Sequence, residues 1–263
     1  MTVITLINII NGSTLVSDAD LTTITAAMNL ILPTFCTSWN INLPKCQFIG
    51  KGKPVPSGQT NVYILDNPDV AGAFGYHDEI NTKSIGRVFV KVILSNGGGV
   101  MSGKSSPVSV SQVISHEIFE LLIDPICNSW WNSPDYSSFY AAEVCDPVQG
   151  NRTNIFANKT TVAISDWILP AWTDPQNKTG PYNYTRSLKT PFQVDKNGYL
   201  IVCTAGAVNY IFGETVPQWL KDAKMKANRL GNRIIGNATT TTTATTAATA
   251  ATAAIATTNT NKS

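Results

Sequence analysis

Four ionisable side chains, His116, Glu117, Glu120 and Asp124, lie within one short apolar segment of this sequence. The segment reads V-I-S-H-E-I-F-E-L-L-I-D-P over Val113–Pro125, in a chain that has only 2 histidines and 17 acidic residues. If the segment is helical, positions 116, 120 and 124 recur at i, i+4 and i+8, so one imidazole and two carboxylates share a face. This clustering is the strongest chemical signal in the chain.

Apolar residues fill the other faces of this predicted helix, and prolines mark its limits. We predict that it begins after Val108–Ser111 and stops before Pro125, because a proline disfavours helical backbone in the residue that precedes it. Burying an unpaired carboxylate costs on the order of several kcal/mol. A divalent metal ion would offset that cost. The alternative is a helix whose polar residues face a hydrogen-bond network or solvent.

The spacing differs by one residue from H-E-x-x-H, in which two histidines four residues apart bind zinc and the intervening glutamate acts as general base. Here Glu120 stands in the place of the second histidine. The pattern therefore predicts His116 and Glu120 as metal ligands and Glu117 as a base. Asp124, at the end of the helix, is expected to bond turn amides in D-P-I-C-N.

Composition sets the outer limits of the interpretation. The chain has 263 residues, enough for one large or two small domains, and a formal net charge of +2. Its five cysteines show no zinc-ribbon spacing, and we interpret them as mostly reduced, buried residues. The N-terminal segment does not resemble a signal peptide, and no apolar run reaches the length of a membrane span. We therefore expect an intracellular protein. The sequence is also compatible with other compartments, including a virion.

The order of predicted elements indicates an α+β fold. Val3–Ile10 is expected to form a buried strand, and Ser17 with Asp20 resembles a capping box that starts a long amphipathic helix. Further strands are predicted at Cys46–Ile49, Asn61–Leu65 and Arg87–Leu94. The Gly-rich stretch around residues 71–78 lies between the last two, and it carries His77, the only other histidine.

The remainder of the chain divides by composition. Residues 126–216 are rich in prolines and aromatic residues, and we expect loops and hairpins packed back on the acidic helix, residues 1–125 forming the preceding subdomain. Gln218–Ile235 is predicted to be a basic amphipathic helix within an arm that spans 217–236. Its charges suit a solvated face better than a nucleic-acid or membrane surface. The Thr/Ala-rich residues 237–263 are expected to be disordered.

Three motifs together resemble a zincin-like group of metallopeptidases. They are G-A-F-G-Y-H-D at 72–78, S-H-E-I-F-E-L-L-I-D-P at 115–125 and E-V-C-D-P-V at 143–148. The similarity covers roughly residues 1–215. It implies a twisted mixed sheet with a backing helix and an active-site helix, followed by an irregular C-terminal subdomain. It also implies a peptide or protein substrate, bound along the edge strand near Ala71–His77.

Carried over residue by residue, the resemblance implies His116 as first ligand, Glu117 as general base and Glu120 in the place of the second ligand. A catalytic zinc site needs a third protein ligand. The order of preference is Glu143, then Asp146, then His77, although His77 is more readily interpreted as an edge-strand residue that contacts substrate or solvent. Tyr76 or His77 is expected to stabilise the oxyanion.

The predicted activity is metal-dependent hydrolysis of peptide bonds, with zinc or another divalent metal as cofactor. A carboxylate in place of an imidazole adds negative charge at the metal and weakens its Lewis acidity. The competing hypothesis is a non-catalytic zincin-like protein with a structural or binding role. A glycosidase is disfavoured because Glu117 and Glu120, on one helical turn, do not readily straddle a sugar ring.

Overall fold

The computed structural model describes residues 3–227, except Ala71 and residues 102–107. Within this part the chain is mixed α+β, as predicted, and residues up to Ala227 fall into one compact unit. The strands are β1 (Leu6–Asn11), β2 (Lys45–Ile49), β3 (Thr60–Leu65), β4 (Gly75–Ile80), β5 (Lys83–Phe89), β6 (Trp130–Asn132), β7 (Ser138–Ala141), β8 (Arg152–Ala157), β9 (Thr160–Ser165), β10 (Tyr199–Thr204) and β11 (Ala207–Phe212). The helices are α1 (Asp18–Trp39), α2 (Val90–Ser95), α3 (Val110–Ile123) and α4 (Gln218–Ala227).

The first five strands form one mixed sheet in the order β2-β1-β3-β5-β4. Strand β1 pairs in parallel with β2 and with β3, and β3 pairs in parallel with β5. Strand β4 runs antiparallel to β5 and forms one edge of the sheet. The apolar character of β1 follows from its central position, where five of its six residues are buried. The edge position of β4 places His77 at the border of the sheet.

Helix α1 starts at the predicted capping box. The Ser17 hydroxyl accepts from the Asp20 amide, and the Asp20 carboxylate accepts from the Ser17 amide. By length and composition α1 could cross a membrane, but half of its most apolar stretch is buried within the protein. The core helix of a soluble protein passes the same test, so this helix is weak evidence for a span.

The predicted strand at Arg87–Leu94 is wrong in its second half. Strand β5 ends at Phe89, and residues 90–95 form the short helix α2. The Phe89 amide donates to the Phe74 carbonyl at 2.8 Å, and the Lys91 amide donates to the Asp66 carbonyl at 3.0 Å. These contacts turn the chain off the sheet, and tertiary structure overrides the β propensity of a Val/Ile-rich run.

Helix α3 is the buried centre of the unit. The Ser109 hydroxyl caps its N-terminus by accepting from the Gln112 amide at 3.2 Å. All residues from Val110 to Leu122 are buried, because α3 packs against β4 and β5 on one side and against β9 on the other. The Phe119 ring stacks on Phe35 of α1, with centroids 4.3 Å apart. A rigid, doubly covered helix therefore carries the acidic segment.

The second half of the described chain builds two small antiparallel sheets, β11-β10-β7-β6 and β8-β9. A single 3-10 turn at Asp146–Val148 lies between β7 and β8. Apolar residues from before and after position 125 share one hydrophobic core, in which Trp167 of the second half packs on Phe119 at 5.0 Å between ring centroids. The second half is thus held against α3.

Candidate metal centre

Helix α3 presents an imidazole and two carboxylates to one buried region. His116 is 8% exposed, Glu117 4% and Glu120 3%. The His116 Nε2 atom lies 3.2 Å from a Glu120 carboxylate oxygen. The four-residue spacing that suggested a shared face thus brings these two side chains into contact.

The downstream acidic segment folds back onto α3 at the same point. Asp146 Oδ1 lies 3.2 Å from the same His116 Nε2 atom that faces Glu120. The Cys145 amide donates to Glu120 Oε1 at 3.3 Å, which fixes the backbone of this segment against the helix. One ring nitrogen of His116 thus faces the carboxylates of both Glu120 and Asp146.

The side chain of His77 enters from the edge strand β4 and is fully buried. Its Nδ1 atom lies 3.7 Å from a carboxylate oxygen of Glu117 and 3.7 Å from one of Glu120. On the other side of the ring, Nε2 lies 3.2 Å from the Asp124 carbonyl oxygen and 3.7 Å from Glu143 Oε2. Glu143, the first choice for the third ligand, therefore faces His77, whereas Asp146 faces His116.

Tyr76 is not brought into this cluster. Successive side chains of a strand point to opposite faces, so Tyr76 and His77 diverge. The Tyr76 hydroxyl donates to Asp69 at 2.8 Å and accepts from Arg87 at 2.7 Å, and Arg87 also contacts Asp69. Burial and then the bond to Asp69 raise the pKa of Tyr76 to about 12. The hydroxyl thus belongs to a separate polar group.

Asp124 has the structural role expected of it. Its Oδ1 atom accepts from the Asn128 amide at 2.9 Å and from the Ser129 amide at 3.1 Å. Asp124 is also the C-cap residue of α3. Its carboxylate therefore holds the turn that follows the helix, while its carbonyl oxygen faces His77.

Two groups of buried side chains in the described part of the chain could hold a metal ion. One comprises His116, Glu120 and Cys145, and the other comprises His77, Glu117 and Glu120, each with ligand atoms within 4.8 Å of one another. Cys145 was missed as a candidate by the sequence analysis, although it stands between Glu143 and Asp146 in the E-V-C-D-P-V motif. Its position in that motif was the available signal.

The chemistry of these donors fits a divalent metal. Imidazole nitrogen, carboxylate oxygen and thiolate sulfur are the ligand types of zinc, and nitrogen and oxygen bonds of about 2.0–2.2 Å in a tetrahedron separate neighbouring ligand atoms by roughly 3.3–3.6 Å. The 3.2 Å contacts of His116 Nε2 are close to that separation. Buried oxygens of Glu117 and Asp146 also lack a hydrogen-bond partner among the described residues. A cation would satisfy them.

Without a metal, the charges are balanced by protonated imidazoles. Burial alone would lower the pKa of His116, but the carboxylates of Glu120 and Asp146 outweigh it and raise the pKa to about 10. Burial likewise opposes the charge of His77, yet Cys127, Glu117 and Glu120 raise its pKa to about 10. Both rings are therefore cationic at neutral pH in the metal-free protein.

The pKa values of Asp146 and Cys145, which lie near His116, shift in opposite directions. Burial would raise the pKa of Asp146, but the contact with His116 and the charge of Lys224 lower it. Burial and then the nearby Glu120 carboxylate raise the pKa of the Cys145 thiol well above its usual value. Cys145 is thus a neutral thiol unless a cation draws off its proton.

Comparisons with known proteins assign no class to this chain. No family model, no curated protein and no solved structure matches it. Function therefore has to be inferred from the geometry of the site itself.

Proposed function

We propose that this protein is a zincin-like, metal-dependent hydrolase that cleaves peptide bonds inside the cell, with zinc as the favoured metal. The observation that carries the proposal is the contact of one nitrogen, His116 Nε2, with carboxylate oxygens of Glu120 and Asp146 at 3.2 Å each. Glu117, the next residue of the same helix, is also buried, and its carboxylate lies 3.7 Å from the His77 Nδ1 atom, which Glu120 faces at the same distance. Ligands and a base are thus adjacent.

In this proposal His116, Glu120 and Asp146 hold the ion. When bound, the ion supplies a Lewis acid that polarises the scissile carbonyl and favours ionisation of water. Glu117 accepts the proton of the attacking water and passes it to the leaving amine. A buried Glu117 oxygen that lacks a hydrogen-bond partner among the described residues is suited to accept that proton.

The geometry supports a different role for His77 than the predicted contact with an oxyanion. Its side chain is fully buried, which argues against direct contact with a substrate. Its Nδ1 atom lies 3.7 Å from both Glu117 and Glu120, and its Nε2 atom faces the Asp124 carbonyl. We assign His77 to the orientation of the base, because a cationic ring anchored to the backbone restrains both carboxylates.

A structural metal site is the second candidate function, and burial is the observation that favours it. The ligand side chains are no more than 10% exposed, which leaves little of the site open to a substrate. A closed site with four protein ligands stabilises a fold without catalysis. Cys145, which lies within the same group as His116 and Glu120, is the available fourth ligand.

Metal content and hydrolysis of a quenched fluorescent peptide library, measured together, test the proposal. We expect about one zinc ion per chain, lost in His116→Ala and Glu120→Ala. Glu117→Gln is expected to retain the ion and to lose at least about 100-fold in hydrolysis, the size of a general-base contribution. Glu79→Gln, an exposed acid on β4, is the matched control and should match the wild type.

Two outcomes contradict the hydrolase. If the wild-type protein takes up no divalent metal, both the hydrolase and the structural metal site are contradicted. If a metal stabilises the fold but the wild type hydrolyses no peptide, the protein has a structural metal site and is not a hydrolase. In cobalt-substituted protein, a thiolate charge-transfer band that disappears in Cys145→Ser would then identify Cys145 as the fourth ligand.

A further inference from the structure

Helix α4 is docked on the second half of the protein. The Tyr210 hydroxyl of β11 donates to the Lys224 carbonyl of α4 at 2.9 Å. The Trp219 ring packs edge-on against Phe74, just before β4, with centroids 6.0 Å apart. The predicted solvated basic helix is therefore bound at two places, and one of them adjoins the strand that carries His77.

One lysine of α4 points inward. The Lys224 Nζ atom donates to the Tyr199 hydroxyl at 2.5 Å and lies 4.5 Å from the centroid of the same ring. Tyr199, the first residue of β10, is only 4% exposed. A lysine ammonium group has donors and no acceptor, so the Tyr199 oxygen must accept this bond.

The proton of Tyr199 is then available to a second acceptor. The Tyr199 hydroxyl lies within range of an electrostatic interaction with the Asp146 carboxylate, because β10 packs against the 3-10 turn that begins at Asp146. Asp146 in turn contacts His116 Nε2 at 3.2 Å. Interactions thus lead from Lys224 through Tyr199 to Asp146, and end at the candidate metal centre.

We propose that Tyr199 and Lys224 are positioning residues of the metal centre, which hold the Asp146 carboxylate against His116 and make helix α4 part of the site. The inference rests on the proposed function only in taking Asp146 as a metal ligand. Ligating carboxylates are commonly held by such outer partners, and loss of a partner costs about 10- to 100-fold in metal affinity.

The test is the dissociation constant of zinc, measured by competition with a chromophoric chelator on the full-length chain. Tyr199→Phe and Lys224→Met are each expected to weaken zinc binding by about 10- to 100-fold. Lys224→Arg should recover part of the loss, since it restores charge and a donor. In an Asp146→Asn background, Tyr199→Phe should add almost nothing, because both variants break one chain of contacts.

A matched control comes from the same helix. Lys221, one turn earlier on α4, stacks 5.6 Å from the Phe212 ring, so Lys221→Met removes a lysine of the same helix. This control should bind zinc as the wild type does, with a circular dichroism spectrum that confirms folding.

The possible results separate the two proposals. If Asp146→Asn weakens zinc binding while Tyr199→Phe and Lys224→Met match the control, the positioning roles are wrong and the metal centre stands. If wild-type protein binds no zinc, both are wrong. Should Tyr199→Phe fail to fold, Lys224→Met decides the question alone.

Discussion

At the scale of single residues, the centre is a set of buried acids whose charges need cations. In the metal-free protein these are the imidazoles of His77 and His116, whose pKa values are raised from 6.5 to about 10. A group whose pKa is higher in the folded state stabilises the fold fully below its unfolded pKa. That contribution is lost as the pH rises through the folded pKa.

We therefore predict that the metal-free protein loses stability as the pH rises from about 6.5 to about 10. The free energy of unfolding, measured with urea in the presence of a chelator, should fall over this range. His116→Gln should show a shallower fall, because one of the two titrating rings is gone.

The zinc-bound protein should behave in the opposite way. A metal requires the neutral imidazole, so protons compete with zinc and binding strengthens as the pH rises. Isothermal titration calorimetry in buffers of different ionisation enthalpy should record proton release on zinc binding at neutral pH. An absence of proton release would mean that the ion does not bind at His116.

At the scale of elements, one close approach of backbone to side chain sets the position of Glu117, the proposed base. Strand β4 crosses α3 at Gly75, where an added Cβ would lie 2.7 Å from Val113 Cγ1 and 2.8 Å from Glu117 Oε1. It would also lie 2.8 Å from the Arg87 carbonyl oxygen, which belongs to the paired strand and cannot move aside. Only glycine permits this packing of the edge strand on helix α3.

Gly75→Ala is accordingly expected to destabilise the fold by about 1–3 kcal/mol, the usual range for overpacking. It should also lower hydrolysis by displacing Glu117, with zinc content retained. Gly86→Ala on β5 is the control, because its nearest neighbour would be the Val62 side chain at 3.1 Å. Equal effects of both substitutions on hydrolysis, after correction for stability, would show that Gly75 does not position the base.

At the scale of the whole molecule, the C-terminal arm has two parts. Helix α4 is docked on the body and, as proposed, contributes to the metal centre. The last part of the predicted basic helix lies outside the described residues, as do residues 237–263, which were predicted to be disordered. The sequence of the Thr/Ala tail offers almost no apolar surface to bury. Burial of the tail therefore cannot offset the conformational entropy cost of ordering it, about 1–2 kcal/mol per residue.

Two truncations test this division. A chain that ends at Gly236 is expected to match the full-length protein in melting temperature, zinc affinity and hydrolysis. A chain that ends at Val216 lacks α4, and it should bind zinc more weakly, by about the 10- to 100-fold assigned to Lys224. A lower melting temperature of the chain that ends at Gly236 would instead mean that the tail packs on the body.

Local patterns in the sequence were sufficient for the elements that depend on neighbouring residues. Ser17 and Asp20 specify the start of α1, because a capping box needs only two side chains three positions apart. The contact of His116 with Glu120 follows in the same way from one helical turn. The turn bonds of Asp124 are equally local, since its amide partners are four and five residues away.

Tertiary structure alone decided which distant side chains meet on α3. Glu143 and Asp146 are three residues apart and both acidic, yet one faces His77 and the other His116, because the 3-10 turn that begins at Asp146 redirects the backbone. The inward position of His77, the approach of Cys145 and the link from Lys224 through Tyr199 depend on strand pairing and helix docking between segments far apart in sequence. Spacing along a chain carries no information about such contacts, since the path between the segments sets both their distance and their direction.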